Sequence, residues 1–400
     1  MPMRSAYLLS AFLYSNSMAR IALIAGEASG DQLGGWLMAA LIARRPDVSF
    51  IGIGGPMMEA QGISSLFPIR DINLIGIAEV LPHAFTIKRR IRETVEFLER
   101  EQPDIVVSID SPGFVLRVLK KLRARGICAS KFVHYVAPTV WAYRPERVHI
   151  MAERFDYLLC LLPFEPPYFD AVKLPNRFIG HEIAWWWKTR GNSAAFRAKH
   201  GIADNAPLLA VFPGSRNGEI NRLWPIFKAA ITQLQQSIAG LQVVIQVTPN
   251  LIERMKYETT GWDIAPIILP NTEDKKDLFA AATAAIAKSG TIGLECALAG
   301  LPSIIAYRTN PLSAFLLRHM LTIRYANLAN LLADRMIIPE LLQEDCTAQK
   351  IAASVLPLLT DETARAAQRT QLSAIASKLG VDDAQSPSEK AADIVLGLLH

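Results

Sequence analysis

Short runs of consecutive apolar residues alternate along this chain with longer stretches whose apolar positions recur every three or four residues. The runs read as buried strands and the stretches as amphipathic helices. In the first half the runs fall at 20–25, 48–53, 104–109, 131–136 and 156–161, with helical spacing over 33–41, 91–100, 114–125 and 146–154. A second series of runs follows at 208–212, 241–247, 264–269, 284–287 and 303–307, and from Thr347 the chain is helical and alanine-rich. The strand runs are apolar throughout rather than alternating, which predicts parallel sheets covered by helices on both faces. Residues 176–191 show neither period and read as the crossing between two βα domains that face a cleft. Ligands of such sheets bind beyond the carboxyl ends of the strands, so the turns that follow the strands hold the candidate chemistry.

Composition narrows this picture only a little. At 400 residues the chain has material for two domains, and 51% hydrophobic residues with 8% aromatics exclude a disordered or low-complexity protein. A net charge of +5 does not by itself choose among anionic substrates, a membrane surface and nucleic acid. Cys128, Cys160, Cys296 and Cys346 stand far apart with no paired spacing, which argues against zinc and for a reducing cytosol. No run approaches the roughly 20 apolar residues of a membrane span, so a soluble or peripheral protein is expected. Residues 6–14, behind Arg4, faintly resemble a signal-peptide core, but a strand begins directly after Met18. Met18 is therefore read as the working start.

Two turns in the second half suit an anion. Ser289-Gly290-Thr291 opens a helix that Gly300 and Pro302 end, and the first turn of a helix offers free N–H groups to a phosphate. Glu295, about one turn further on, is placed to accept from a ribose hydroxyl. Pro213-Gly-Ser215-Arg216 adds a hydroxyl and a guanidinium that can grip phosphate bidentately. Ordinary strand-to-helix turns with a surface arginine remain the alternative. In the first half, Glu27, Ser29 and Asp31 follow a strand without the glycine spacing of a dinucleotide fingerprint. Two acids there suit sugar hydroxyls and repel a pyrophosphate, unless Ser29 and Asp31 only cap the helix. Asp110 leaves the strand at 104–109 and is the first candidate for a base, with Asp31 second; Asp104 lies at the far end and is excluded. Tyr135 ends the next strand on the ligand side. Over 76–92, Val80, Leu81, Phe85 and Ile87 stand among Lys88, Arg89 and Arg90, a mixture that suits an anionic membrane or lipid chains. Packing on the protein's own core explains the same pattern.

Taken in order, these motifs resemble one family, lipid-A-disaccharide synthase. The resemblance covers Ala25-Gly-Glu-Ala-Ser-Gly-Asp31, Gly52-Ile-Gly-Gly-Pro56, Gly76-Ile-Ala-Glu79-Val80 and His134-Tyr-Val-Ala-Pro-Thr-Val-Trp141. It continues through Leu162-Pro-Phe-Glu165, Phe178-Ile-Gly-His181, Phe212-Pro-Gly-Ser-Arg216, Ser289-Gly-Thr291 with Glu295, and Pro339-Glu-Leu-Leu-Gln-Glu-Asp-Cys346. It implies an α/β protein of the GT-B fold with two Rossmann-like domains, at about 18–182 and 190–364, and C-terminal helices from about 365 crossing back onto the first. It implies an inverting, metal-free glycosyl transfer from UDP-2,3-diacylglucosamine to 2,3-diacylglucosamine 1-phosphate (lipid X), at the cytoplasmic face of a Gram-negative inner membrane. Glu27, Ser29, Glu79 and Tyr135 would then meet the acceptor or sugar, while Ser215, Arg216, Ser289, Gly290, Thr291 and Glu295 hold UDP. No cofactor and no nucleic acid are expected, and a homo-oligomer is left open. Another enzyme of this fold, such as a UDP-GlcNAc 2-epimerase, and a non-catalytic binder are the alternatives. The chain departs from the usual pattern at Ile75, at Gly113 where a second acid is common, at Glu182 ahead of Trp185-Trp186-Trp187, and at Ala329 in Leu328-Ala-Asn-Leu331.

Overall fold

The computed structural model of the protein describes residues 18–72, 84–126, 130–271, 273–310, 314–315, 319–320 and 323–399. The chain divides into two compact units, residues 1–182 with 384–400, and residues 183–383. Among the described residues, no helix is long and apolar enough to cross a membrane.

The first unit is built on a six-stranded sheet of order β2-β1-β3-β4-β5-β6, all strands parallel. Its strands are β1 Arg20–Ala25, β2 Ser49–Ile53, β3 Ile105–Ile109, β4 Lys131–Tyr135, β5 Tyr157–Cys160 and β6 Asn176–Phe178. Helices α1 Ala28–Arg44, α2 Pro56–Glu59, α3 Ala84–Glu101 and α4 Pro112–Arg125 connect four of them. Val106, Ile24 and Phe132 from the strands meet Ile87, Ile91, Val95, Val115 and Val118 from α3 and α4 in one buried cluster. Each such side chain contributes about 1.5–3 kcal/mol when removed from water. Asp104 accepts from the Arg20 N–H at 2.7 Å at the amino end of β1 and β3, far from the ligand side.

The second sheet, order β12-β11-β10-β7-β8-β9, is also parallel. It comprises β7 Leu208–Phe212, β8 Gln242–Val247, β9 Ile267–Pro270, β10 Ala284–Lys288, β11 Ser303–Tyr307 and β12 Glu340–Leu342. Its covering helices include α5 Asn217–Ser237, α6 Lys275–Ala281, α7 Thr291–Ala299, α8 Leu328–Ala333, α9 Ala348–Thr360 and α10 Glu362–Lys378. Buried Trp224, Phe227, Val243 and Ile286 anchor its core. The return to the first unit was expected near 365 but starts at 384, because α10 stays with the second sheet. Gln368 of α10 binds both the N–H and the carbonyl of Ser303, at 2.8 and 3.1 Å, and so ties that helix to β11.

Residues 176–191 are not a bare crossing. They contain β6 and a short helix, Glu182–Trp186. Buried Glu182 accepts from the Ser388 N–H at 2.6 Å and from the Ser388 hydroxyl, at the first turn of the last helix, α11 Pro387–Gly397. A carboxylate at a helix N-terminus meets free N–H groups and the positive end of the dipole. The unusual glutamate therefore holds α11, which also carries Asp393 into contact with Arg44 of α1. The tryptophan run is equally explained: buried Trp187 packs against Phe279, the rings tilted with centroids 4.8 Å apart, and Lys276 lies 4.2 Å over Trp186. Lys188 lies 4.0 Å over Trp185.

Candidate functional site

Each sheet has one point where the chain reverses direction across it, and the candidate turns lie there. In the first unit the reversal is between β1 and β3, and in the second between β7 and β10. Two loops diverge at such a point and leave a crevice at the strands' carboxyl ends.

In the second unit, Phe212 ends β7 beside Ala287 of β10, which brings Pro213–Arg216 and Ser289–Thr291 together. They open a cavity of 270 Å³ whose lining includes the sequence candidates Ser215, Gly290, Thr291 and Glu295, along with Lys275, Lys288 and Glu219, which were not among those candidates. Arg216 is exposed and is the N-cap residue of α5, and Gly290 is the N-cap residue of α7. The first N–H groups of α7 have no partner within the helix and point to this end. Ser289 stands at the same turn, its hydroxyl donating to the Ala326 carbonyl at 3.4 Å. Buried Glu295 pairs with Lys275 at 2.5 Å, and Glu219 pairs with Lys288 at 3.0 Å. These two lysines could have been suspected from position alone: Lys288 ends a buried strand and Lys275 begins a helix beside the site.

The loop that braces Ser289 is itself fixed by Glu340, which accepts from the Ala326 and Asn327 N–H groups at 2.8 and 2.9 Å. Asn327 in turn accepts from the Ala329 N–H at 2.7 Å. Ala329 supplies the N–H that completes this helix cap, and a proline at that position would have none to give.

In the first unit the chain leaves β3 through two consecutive left-handed residues, Asp110 (φ 56°) and Ser111 (φ 44°). Such a conformation costs a non-glycine residue about 1–2 kcal/mol, so neighbouring contacts must hold it. The Asp110 N–H donates to the Tyr135 carbonyl at 2.9 Å, and its Oδ1 accepts from the Ser111 N–H at 2.7 Å. The carboxyl group is half-buried. Behind it, buried His134 places Nδ1 2.7 Å from Ser108 Oγ; burial lowers its pKa to about 4, against an opposing pull from Asp110, so the ring is neutral. Gly113 lies in the first turn of α4, and the first carbon of a side chain added there would meet no atom within 4 Å, so the missing second acid leaves space. Half-buried Glu27 and exposed Ser29 stand at the head of α1, just past β1, the strand next to β3.

Several expected site residues do other work. Asp31 is 4% exposed, and its carboxylate accepts from the Gly55, Met57 and Met58 N–H groups at 2.8, 3.0 and 3.1 Å. It caps α2, and its lone pairs are shielded from a substrate hydroxyl, so it is not a base. Tyr135 is fully buried and directed toward Glu182, where desolvation raises its pKa; it cannot reach a sugar from there. Ile87 packs in the core cluster and shows only its edge at the surface. Arg90 binds Asp71 and Glu93 and lies 4.5 Å over the Phe67 ring, so Arg90 is held away from a membrane. Phe85 is 88% exposed and Arg89 is exposed beside Glu93. Glu79, Val80 and Leu81 lie outside the described residues, as does Ile75.

A family model described as lipid-A-disaccharide synthetase matches residues 21–395. The lipid-A-disaccharide synthase of Rhodospirillum centenum is 46% identical over 380 residues, 95% of this chain and 94% of that protein. The Granulibacter bethesdensis protein of the same name is 41% identical over 376 residues, 93% of this chain and 94% of its own length. Among solved structures, UDP-GlcNAc 2-epimerase from Neisseria meningitidis bound to UDP-GlcNAc has a TM-score of 0.62 at 11% identity, covering 95% of this chain and 100% of that one. The calicheamicin glycosyltransferase has a TM-score of 0.60 at 16% identity, covering 96% and 99%. These structural likenesses speak for the fold alone, and the fold is the expected α/β GT-B class.

Proposed function

The chain belongs to the lipid-A-disaccharide synthetase family, a family of glycosyltransferases that make the lipid A disaccharide, and we propose how its residues divide that reaction. The donor is UDP-2,3-diacylglucosamine and the acceptor 2,3-diacylglucosamine 1-phosphate. Asp110 takes the proton of the acceptor 6-hydroxyl as that oxygen attacks the anomeric carbon. The bond from that carbon to the diphosphate breaks, configuration inverts to a β-1′→6 link, and UDP leaves. Ser215, Arg216, Ser289, Gly290, Thr291 and Lys288 receive the diphosphate charge, since donors already in place at a leaving group lower its barrier without reorganising. Glu295, paired with Lys275, takes the ribose hydroxyls. Glu27 and Ser29 meet the acceptor sugar.

One observation carries this division: cationic, N–H-rich turns lie at the reversal point of one sheet, and a strained, half-buried carboxylate lies at the reversal point of the other. Asp110→Ala tests it. UDP affinity should hold while turnover falls by about 10²–10⁴-fold, the usual worth of a positioned base. Turnover near normal in a folded variant rules Asp110 out.

For the lipid chains we place the anionic inner-membrane surface against α3 and α4. Supporting this are exposed Phe85 and a 620 Å³ groove floored by Ala84, Ile87, Ile91 and Ala124 and rimmed by Lys88, Arg117, Lys120 and Lys121. Apolar floor and cationic rim match acyl chains and phosphate headgroups.

A further inference from the structure

The cradle assigned above to the diphosphate is not an empty anion site, because a side chain of the protein already occupies its donors. Glu219, in the first turn of α5, accepts from the Ser215 N–H at 3.1 Å. Its other oxygen lies 3.0 Å from Lys288 Nζ and 4.0 Å from Arg216 Nη1. A backbone N–H, an ammonium and a guanidinium thus converge on one carboxylate, as they would on a phosphate. The loop is shaped around it: a side chain at Gly214 would put its first carbon 2.6 Å from Glu219 Oε2, and Gly214 has φ 121°.

We propose that Glu219 stands in for the diphosphate, so that UDP-sugar enters and UDP leaves by exchange with this carboxylate. The inference rests on the reading that this cradle holds the diphosphate. Burial works against the charge on Glu219, but Lys288, the Ser215 N–H and Arg216 together outweigh it and hold its pKa below the usual glutamate range. The carboxylate is therefore a charged competitor at neutral pH. Two like charges cannot share the same three donors, because each repels the other at contact distance. Binding a diphosphate then requires Glu219 to turn outward, and its return helps expel UDP after transfer. The device keeps Lys288 and the Ser215 turn ordered between turnovers, at the cost of affinity for UDP. Lys288 becomes a diphosphate ligand released by the exchange.

Calorimetric titration of the full-length protein with UDP and with uridine tests this. Glu219→Gln should tighten UDP about tenfold and leave uridine unchanged, since uridine has no phosphate to compete. Glu219→Ala should go the same way, although it also removes the hydrogen bond to Ser215. If Glu219 only positions Lys288 and the turn, both variants will bind UDP more weakly or equally, and the exchange is overturned. An equal gain for uridine overturns it too, because the competition would not be at the phosphates. Lys288→Met separates this from the underlying assignment. It should weaken UDP about tenfold; if it leaves UDP unchanged, the diphosphate is not in this cradle and both readings fall together.

Discussion

Alanine at position 26 tests whether the strained turn at Asp110 is set by close packing. The first carbon of a side chain at Gly26 would lie 2.1 Å from both Cβ and Oγ of Ser111. Carbon atoms in contact prefer about 3.5–4.0 Å, so Ser111 would have to retreat by roughly 1.5 Å. It cannot do so alone. Ser111 and Asp110 are consecutive left-handed residues, and the Ser111 N–H is bonded to Asp110 Oδ1. Overpacking of this kind costs about 1–3 kcal/mol of stability, and moving a reacting group by about 1 Å costs on the order of 10²-fold in rate. Gly26→Ala should therefore lose about 100-fold in UDP release from the two acylated sugars. UDP affinity should be unchanged, since the cradle lies in the other unit. Ser111→Gly removes both clashing atoms and tolerates positive φ, so the double variant should recover most of the turnover and stability. Urea unfolding supplies the stability measurement. Full turnover in Gly26→Ala, or no recovery in the double variant, refutes the argument.

Two further outcomes follow from the structure. Glu165 is 3% exposed and accepts from the Leu161 and Leu162 N–H groups at 3.0 and 2.9 Å and from Trp141 at 3.3 Å; burial raises its pKa to about 7 against the pull of those bonds. A carboxyl with a folded pKa above its unfolded one binds more protons when folded, so its contribution is full below about pH 4.5 and is lost as pH rises through about 7, by about 3 kcal/mol in all. Urea unfolding of the wild type and Glu165→Gln across that window should show a stability difference that changes by about this amount, and parallel curves refute it. For the membrane reading, Lys120→Glu with Lys121→Glu should weaken partitioning onto vesicles containing anionic phospholipid by at least about thirtyfold, read by cosedimentation, since two basic residues worth about 1 kcal/mol each near such a surface are lost. Unchanged cosedimentation would move the contact elsewhere.

The strands were legible because ten of the twelve described strands are short, mainly apolar runs, a signal that needs no knowledge of neighbours. The two that escaped, β6 and β12, have only three residues each. Strand order was not legible, since it depends on pairing between residues as far apart as Phe212 and Ala287. The same limit separates Asp31 from Asp110. Both are acids just past an apolar strand, and only the packed structure shows that Gly55, Met57 and Met58 turn their N–H groups on Asp31. Along α3 the apolar and basic residues keep a helical period whether the apolar face meets a membrane or a core, and Ile87 and Arg90 prove to face inward. Position alone could raise Lys275 and Lys288 as candidates, but their pairing with Glu295 and Glu219 was not legible, because the fold joins residues distant in the chain.

Glycine is the residue whose sequence interpretation changes most. A glycine in a turn after a strand is ordinarily taken as room left for a ligand. At Gly26 that room is filled by Ser111, and at Gly214 by the carboxylate of Glu219. At Gly290 the nearest atom is Lys288 Nζ at 3.6 Å, and no backbone closes the space. The first glycine lets a loop press on the turn that carries Asp110, the second lets an internal anion rest on the cradle, and only the third leaves its face toward the cavity open. A substitution at Gly290 should therefore be felt by a ligand directly. Substitutions at Gly26 and Gly214 act through the protein groups they would collide with, and for those two the informative partner variants are at Ser111 and Glu219.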